Sequence, residues 1–364
     1  MAPIRRRRPR SVRDILSGLG MSESEIDEAE RDGIGELLAI DALVLPERGR
    51  FTLDELAAKV GTEPAVVRAI WRALGFADPG EGERAFSKRD VSMLEDFGDA
   101  AERGLIDPDI AFQMARVIGV STAQIASAVV DATAARAEDR RELSSADDDL
   151  WNQSLALRAG ELLPLLSDVV DYALRRHMRA ATRRRLHVAR STDDAEVVGF
   201  ADLVNYTELS ARLEERELAE LLRRFDDLTN AVVVEHGGRI VKMIGDAAMF
   251  TVVEPVAGAV IALELSERVA ADDRLGGIRI GMAQGPVLSR DGDLYGSVVN
   301  TASRLVSIGR AGAVNVGPAI RAALAGDRRF ALRSLGMRRL HHIGEMRVYR
   351  LRPGPEWVPV TGVE

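Results

Sequence analysis

VVGFADLVNYT (197–207) and IVKMIGDAAMF (240–250) decide how this chain is read. Each joins a β-branched, apolar run to one carboxylate, Asp202 in the first and Asp246 in the second. The pattern predicts Asp202 at the end of a buried strand and Asp246 in a tight turn, Gly245-Asp246, between two strands. A carboxylate so placed is costly unless something cationic meets it. Two brought together repel, and a pair of Mg²⁺ or Mn²⁺ ions holding a polyphosphate removes that repulsion. Asp202 and Asp246 are therefore the candidate metal ligands.

Outward from that pair, composition sets the bounds. A chain of 364 residues has room for two domains, and 46% hydrophobic residues with a net charge of -8 point to a soluble globular protein rather than a disordered or nucleic-acid-coating one. The absence of cysteine excludes disulfides, thiolate metal sites and cysteine nucleophiles, and suits a reducing cytoplasm. The long apolar stretch AFQMARVIGVSTAQIASAVV carries Gln113, Arg116 and Gln124 at helical spacing, so no transmembrane segment is expected. MAPIRRRRPRS lacks a following apolar run and reads as a solvated basic tail rather than a secretory signal.

An α+β protein is expected: a basic tail (1–10), an all-α domain (11–172), a connector helix (173–193), a mixed domain (194–354) and a short tail (355–364). In the first half, Ser22 with Glu25 forms a capping box before IDEAERDGIGELLAIDAL, and Thr52 with Glu55 repeats it in FTLDELAAKV. Gly61 ends that helix, and Thr62 with Pro64 starts the next, giving a helix-turn-helix pattern. IDPDIAFQMARVIGV and STAQIASAVVDATAARA read as further helices, and AEDRRELSSADDD as a loop or a solvated face. From Glu196 the order is β-α-β-β-α-β, which predicts a ferredoxin-like sheet with helices on one face. A strand at AVNVGP and a hairpin at MRRLHHIGEMRVYRL close it.

Four pieces occur in order between Glu196 and Leu351: FADLVNYT, KMIGD, GDLYGSVVNTASRL and LHHI. Together they resemble the catalytic domain of class III nucleotidyl cyclases, which cyclise a nucleoside triphosphate by attack of its ribose 3′-hydroxyl on the α-phosphorus. The resemblance implies two divalent ions on Asp202 and Asp246, one activating the 3′-oxygen and one bridging the phosphates. Backbone amides after Asp202 would cradle the β- and γ-phosphates. It implies that Asn300 orients the ribose and that Arg304 stabilises the charge of the α-phosphoryl group in the transition state. Four residues apart, those two share one helix face.

Lys242 and Asp293 would read the base. Adenine offers an acceptor at N1 and a donor at its 6-amino group, matching a donor-only lysine and an acceptor-only carboxylate. Guanine reverses both edges, so the pair selects ATP over GTP. In the family the metal aspartates come from one subunit and the base, ribose and transition-state residues from the other, so a head-to-tail homodimer with two sites is expected. The chain departs from the family at LHHI. His341 stands where a lysine or arginine usually binds phosphate, and His342 where glycine is usual. An imidazole takes that role only when protonated, so ATP binding is expected to strengthen in acid.

The order of a helical first half, a basic connector and a cyclase domain resembles actinobacterial cyclases whose N-terminal domain inhibits catalysis at neutral pH. That likeness implies relief of inhibition by acid, with fatty acid as a further ligand of the regulatory domain. His177 and His187 lie in the connector, where protonation would shift a packed helix. The rival for the first half is DNA binding: the stretch from Phe51 to Phe97 resembles a MerR-type head. Its second helix offers only Arg68 and Arg72 as cationic donors, so no nucleic acid is expected.

Overall fold

The computed structural model describes residues 12–18, 20–32, 34–45, 47–141, 149–188 and 195–359. It divides into two compact units, Met1–His177 and Met178–Glu364. The arginines of the basic tail lie outside the described residues, and so does the side chain of His187.

The first unit is helical. It opens with α1 (Val12–Gly18), α2 (Glu23–Arg31) and α3 (Gly35–Val44), then α4 (Leu53–Lys59), α5 (Pro64–Ala73) and α6 (Lys88–Glu102). Both expected capping boxes form, Ser22 with Glu25 and Thr52 with Glu55, each satisfying orphan amides at a helix start. IDEAERDGIGELLAIDAL is split between α2 and α3 rather than forming one helix. The cap of α5 is Glu63, not Thr62, because Pro64 occupies the first helical position. A bridge between Phe51 and Phe86 ties the strand-like flanks of the α4–α5 pair together over Leu56, Ala57 and Val67.

The two helices expected after Asp107 are one, α7 (Pro108–Arg141), and its last turns take in the beginning of the expected acidic loop. The connector belongs to α8 (Asp149–Val188), which holds Pro164 within its length.

The second unit follows the expected order: β1 (Ala195–Leu203), α9 (Tyr206–Ser210), α10 (Glu215–Glu235), β2 (Arg239–Ile244), β3 (Ala247–Val252), α11 (Pro255–Ala270) and β4 (Ile278–Pro286). Beyond these come β5 (Leu288–Arg290), β6 (Asp293–Tyr295), α12 (Ser297–Ser307), β7 (Ala313–Val316), α13 (Pro318–Ala323), β8 (Phe330–Leu340) and β9 (Gly344–Pro353). The main sheet runs β2-β3-β1-β4-β7-β9-β8, and its first four strands have the ferredoxin-like arrangement, all antiparallel. β7 extends the sheet by pairing parallel to β4.

Helices on one face only is an expectation the fold corrects. α10, α11 and α13 cover one face around Phe225, Phe250 and Ile261, and α12 packs on the other around Val298, Ala302 and Leu305. Strand alternation explains both: Val197 belongs to the first core and its neighbour Val198 to the second. Each large apolar side chain fully buried there contributes about 1.5–3 kcal/mol.

Candidate active site

The end of β1 and the β2–β3 turn bring the two aspartates together. Asp202 is opposite Ala247 in the register, and the Leu203 amide donates to the Asp246 carbonyl at 3.0 Å. Gly245, with φ of 60°, allows the tight turn that puts Asp246 beside the strand end. Burial pushes the pKa of Asp246 up, and the neighbouring charge of Asp202 adds to that rise. The repulsion that Asp202 exerts on the Asp246 carboxylate is what a divalent cation relieves.

Among the described residues no group of three or more His, Asp or Glu side chains gathers as a metal site. Two carboxylates suit Mg²⁺ or Mn²⁺ whose remaining ligands are water and substrate phosphate, and the donor set fits that use.

The residue that reading the sequence missed is Arg279. It is the cross-strand partner of Asp202 from β4, and its Nε donates to Asp202 Oδ2 at 2.5 Å. The sequence signal was a lone arginine in the strand run IRIGM, but only the β1–β4 register says which residue it faces. Arg279 holds the Asp202 carboxylate at the strand end before any cation arrives.

Lys242 and Asp293, from β2 and the first position of β6, form a second pair. Lys242 Nζ donates to Asp293 Oδ2 at 2.5 Å, and the Leu294 amide donates to Asp293 Oδ1 at 2.8 Å. Burial pushes the Asp293 pKa up, but these two bonds and the charges of Lys242 and Arg239 outweigh it, and the net direction is down. The charges acting most strongly on Asp246 are instead Asp202 and Arg279.

Asn300 and Arg304 lie one turn apart on α12, with Asn300 exposed and Arg304 half-buried. Gly281 of β4 sets how close that helix comes: a Cβ there would lie 2.4 Å from the Val306 amide nitrogen. His341 and His342 form the β8–β9 turn, both exposed, with ring centroids 3.8 Å apart. His342 has φ of 64°, the left-handed conformation that glycine adopts without strain, which gives a physical reason for glycine at that place in the pattern. The loop after Asp202 is less open than expected: the amides of Leu203 and Val204 donate to Asp246 and Gly277, and α9 is a single short turn from Tyr206 to Ser210.

In the first unit, Arg72 is bonded to Asp78 at 2.9 and 2.5 Å, which ties up one of the two cations available to a DNA groove. His177 is exposed on α8. Among the described residues no helix is long and apolar enough to cross a membrane.

Residues 188–353 match the model of the adenylate and guanylate cyclase catalytic domain family. The chain belongs to that family and is a class III nucleotidyl cyclase. It is 35% identical over 285 residues to an adenylate cyclase of Streptomyces coelicolor, covering 77% of this chain and 73% of that one. An adenylate cyclase of Glutamicibacter nicotianae is 31% identical over 90% of this chain and 84% of its own. A pH-sensitive adenylate cyclase of Mycobacterium tuberculosis is 30% identical over 87% of this chain and 82% of its own.

Proposed function

We propose that the chain converts ATP to 3′,5′-cyclic AMP and pyrophosphate, at two sites shared by a head-to-tail homodimer in the cytoplasm. The observation that carries the substrate is the Lys242–Asp293 pair, a donor beside an acceptor at 2.5 Å. Facing adenine, both side chains keep full hydrogen bonding. Facing guanine, each meets a group of its own kind, and a site with mispaired polar groups rejects that base strongly.

Asp202 and Asp246 would hold two divalent ions, Mg²⁺ or Mn²⁺, which supply activation of the 3′-hydroxyl and neutralise the phosphates. Arg279, bonded to Asp202 through Nε, aims its carboxylate at that position. Asn300 orients the ribose for in-line attack, and Arg304 stabilises the charge that grows on the α-phosphoryl oxygens as pyrophosphate leaves. Removing such a donor typically costs about 10²–10³ in rate. Amides in the stretch from Asn205 to Thr207, with a protonated His341, would take the outer phosphates.

The two-copy reading is supported by which groups act on which. The side-chain charges acting on Asp246 are those of Asp202 and then Arg279, and those acting on Asp293 are Lys242 and then Arg239, though Lys242 and Asp246 are close in sequence. Separate half-sites fit a cavity completed by a second copy. Mixing Asp202→Ala with Arg304→Ala chains tests this: each alone is inactive, and the mixture regains activity through heterodimers that carry one intact site. A mixture as inactive as its parents sinks the shared site.

The domain arrangement of the notional regulatory half follows the same reading. The helical domain (11–172) restrains the cyclase domain (194–354) through the connector (173–193), and acid relieves the restraint through His177 and His187. A fatty acid as a further ligand of the helical domain has no support among the described residues. Cyclic AMP production between about pH 5.5 and 8, in the full chain and in 190–364, measures the restraint. Equal activity of both at every pH removes it. The rival, a DNA-binding regulator with an inactive cyclase-like domain, is favoured by the α4–α5 geometry and opposed by the paired state of Arg72. Its mark would be a salt-dependent gel shift by a chain lacking everything after Thr192.

A further inference from the structure

β8 and β9 bring arginines together on the face of the sheet that α12 covers. Arg333 and Arg350 are direct cross-strand partners, so their side chains rise from the same face. Arg352 follows Arg350 by two positions and joins them. Met346 and Val348, in alternation with these on β9, pack in the α12 core, which identifies the face.

Arg310, just beyond α12, completes the group. Burial first, then the charges of Arg352 and Arg310, hold the Arg350 pKa below the usual arginine value. No described carboxylate forms an ion pair with any of the four, although Arg268, Arg274, Arg279 and Arg329 of the same unit all have one. Like charges directly opposite on neighbouring strands are destabilising. A multivalent anion would remove that cost.

One of the four is fixed in place. Arg350 is half-buried, and its Nε donates to Asn315 Oδ1 at 3.0 Å. Asn315 is fully buried in β7 and donates its Nδ2 to the Leu305 carbonyl of α12 at 2.8 Å. That bond orients the guanidinium through Nε and leaves its terminal nitrogens for a ligand. Arg310, Arg333 and Arg352 are exposed around it.

We propose that Arg310, Arg333, Arg350 and Arg352 form a binding site for an oligophosphate anion, built from residues that belong to neither the aspartate pair nor the base-reading pair. Guanidinium forks match phosphate oxygens two at a time, which lysines do not. Through Asn315 the site touches α12, the helix that carries Asn300 and Arg304. A free oligophosphate and a phosphorylated lipid headgroup present the same chemistry to these side chains.

The test uses the full chain in EDTA at low ionic strength, with inorganic tripolyphosphate as the probe, read by calorimetry and by thermal melting. It compares wild type with the double variant Arg333→Gln/Arg352→Gln, both exposed positions. Tripolyphosphate should raise the wild-type Tm, and the double variant should bind about tenfold more weakly or worse. Any tripolyphosphate held by the catalytic residues contributes equally to both chains.

Without anion, the double variant should melt at or above wild type, because the repulsion is gone. Equal affinity in the two chains overturns the site, and so does a double variant that melts below wild type without anion, since the arginines would then be structural. Phosphatidic acid vesicles separate the sources. Co-sedimentation that the double variant loses, with no tripolyphosphate binding, supports the site with a headgroup as its ligand. Binding to neither probe overturns it.

Discussion

Replacing Gly281 with alanine should separate catalysis from folding. A Cβ at this position of β4 would lie 2.4 Å from the Val306 amide nitrogen, 2.5 Å from the Ala302 carbonyl oxygen and 2.8 Å from the Leu305 carbonyl carbon. All three are backbone atoms of α12, so no flexible side chain can give way. Reaching the ordinary 3.4 Å of van der Waals contact requires α12 to retreat by about 1 Å. Asn300 and Arg304 move with it. A misplacement of about 1 Å costs on the order of 10²-fold in rate, or roughly 2.7 kcal/mol of transition-state stabilisation. Overpacking itself costs about 1–3 kcal/mol of stability.

Steady-state cyclic AMP formation from ATP and Mn²⁺, measured well below the Tm, should show kcat down about a hundredfold, with KM within a few-fold. Gly258→Ala is the control. Its Cβ would meet Val197 Cγ1 at 3.1 Å and Val252 Cγ1 at 3.3 Å, side-chain atoms on the opposite core. It should lower the Tm and leave kcat near wild type. Wild-type kcat in Gly281→Ala, or equal loss in both variants, would refute the idea that this close approach positions the catalytic helix.

Three other outcomes are expected. The Asp293 pKa is held down in the folded chain, so the stabilisation it provides is present above the ordinary carboxylate range and is lost as pH falls through the lowered value. The Tm difference between wild type and Asp293→Asn should therefore be constant near neutrality and shrink below about pH 4; a difference that grows in acid contradicts the assigned partners. Glu264 is fully buried and meets His236 Nε2 at 2.6 Å and Arg268 at 2.5 Å, so Glu264→Ala leaves the partly buried Arg268 guanidinium and the His236 ring without this partner. Urea unfolding should show a loss of about 3 kcal/mol or more, and a loss under about 1 would show the cluster to be solvated. His342→Gly removes a left-handed non-glycine residue and should gain roughly 0.5–1 kcal/mol in the same assay; any loss would mean that the ring contact with His341 outweighs the backbone strain.

Much of the second unit was legible because its signals are local. Alternating apolar runs mark β1, β3 and β4, Gly245 marks the turn, and the spacing of Asn300 and Arg304 marks a helix face. The errors share a cause. The sequence of α12 is amphipathic whichever side of the sheet it lies on, so its placement opposite α10 and α11 had no local signature. The single helix α7 was divided at Val120-Ser121 because Ser and Thr favour caps, and tertiary context overrode that preference. Arg279 and Gly281 were missed because their meaning lies in what they face.

By itself the sequence determined which groups are present: one aspartate at a strand end and one in a tight turn, a lysine and an aspartate fit for a base edge, and an asparagine and an arginine one helical turn apart. Their places on strand, turn and helix follow from periods of 2 and 3.6, which each segment carries within itself, and their roles from the resemblance to the cyclase family. Only the tertiary structure decided the contacts of Asp202 with Arg279 and of Arg350 with Asn315, and the direct bond within the expected Lys242–Asp293 pair. Register and crossover set them, and a strand shifted by one residue would turn every one of these side chains to the other face of the sheet.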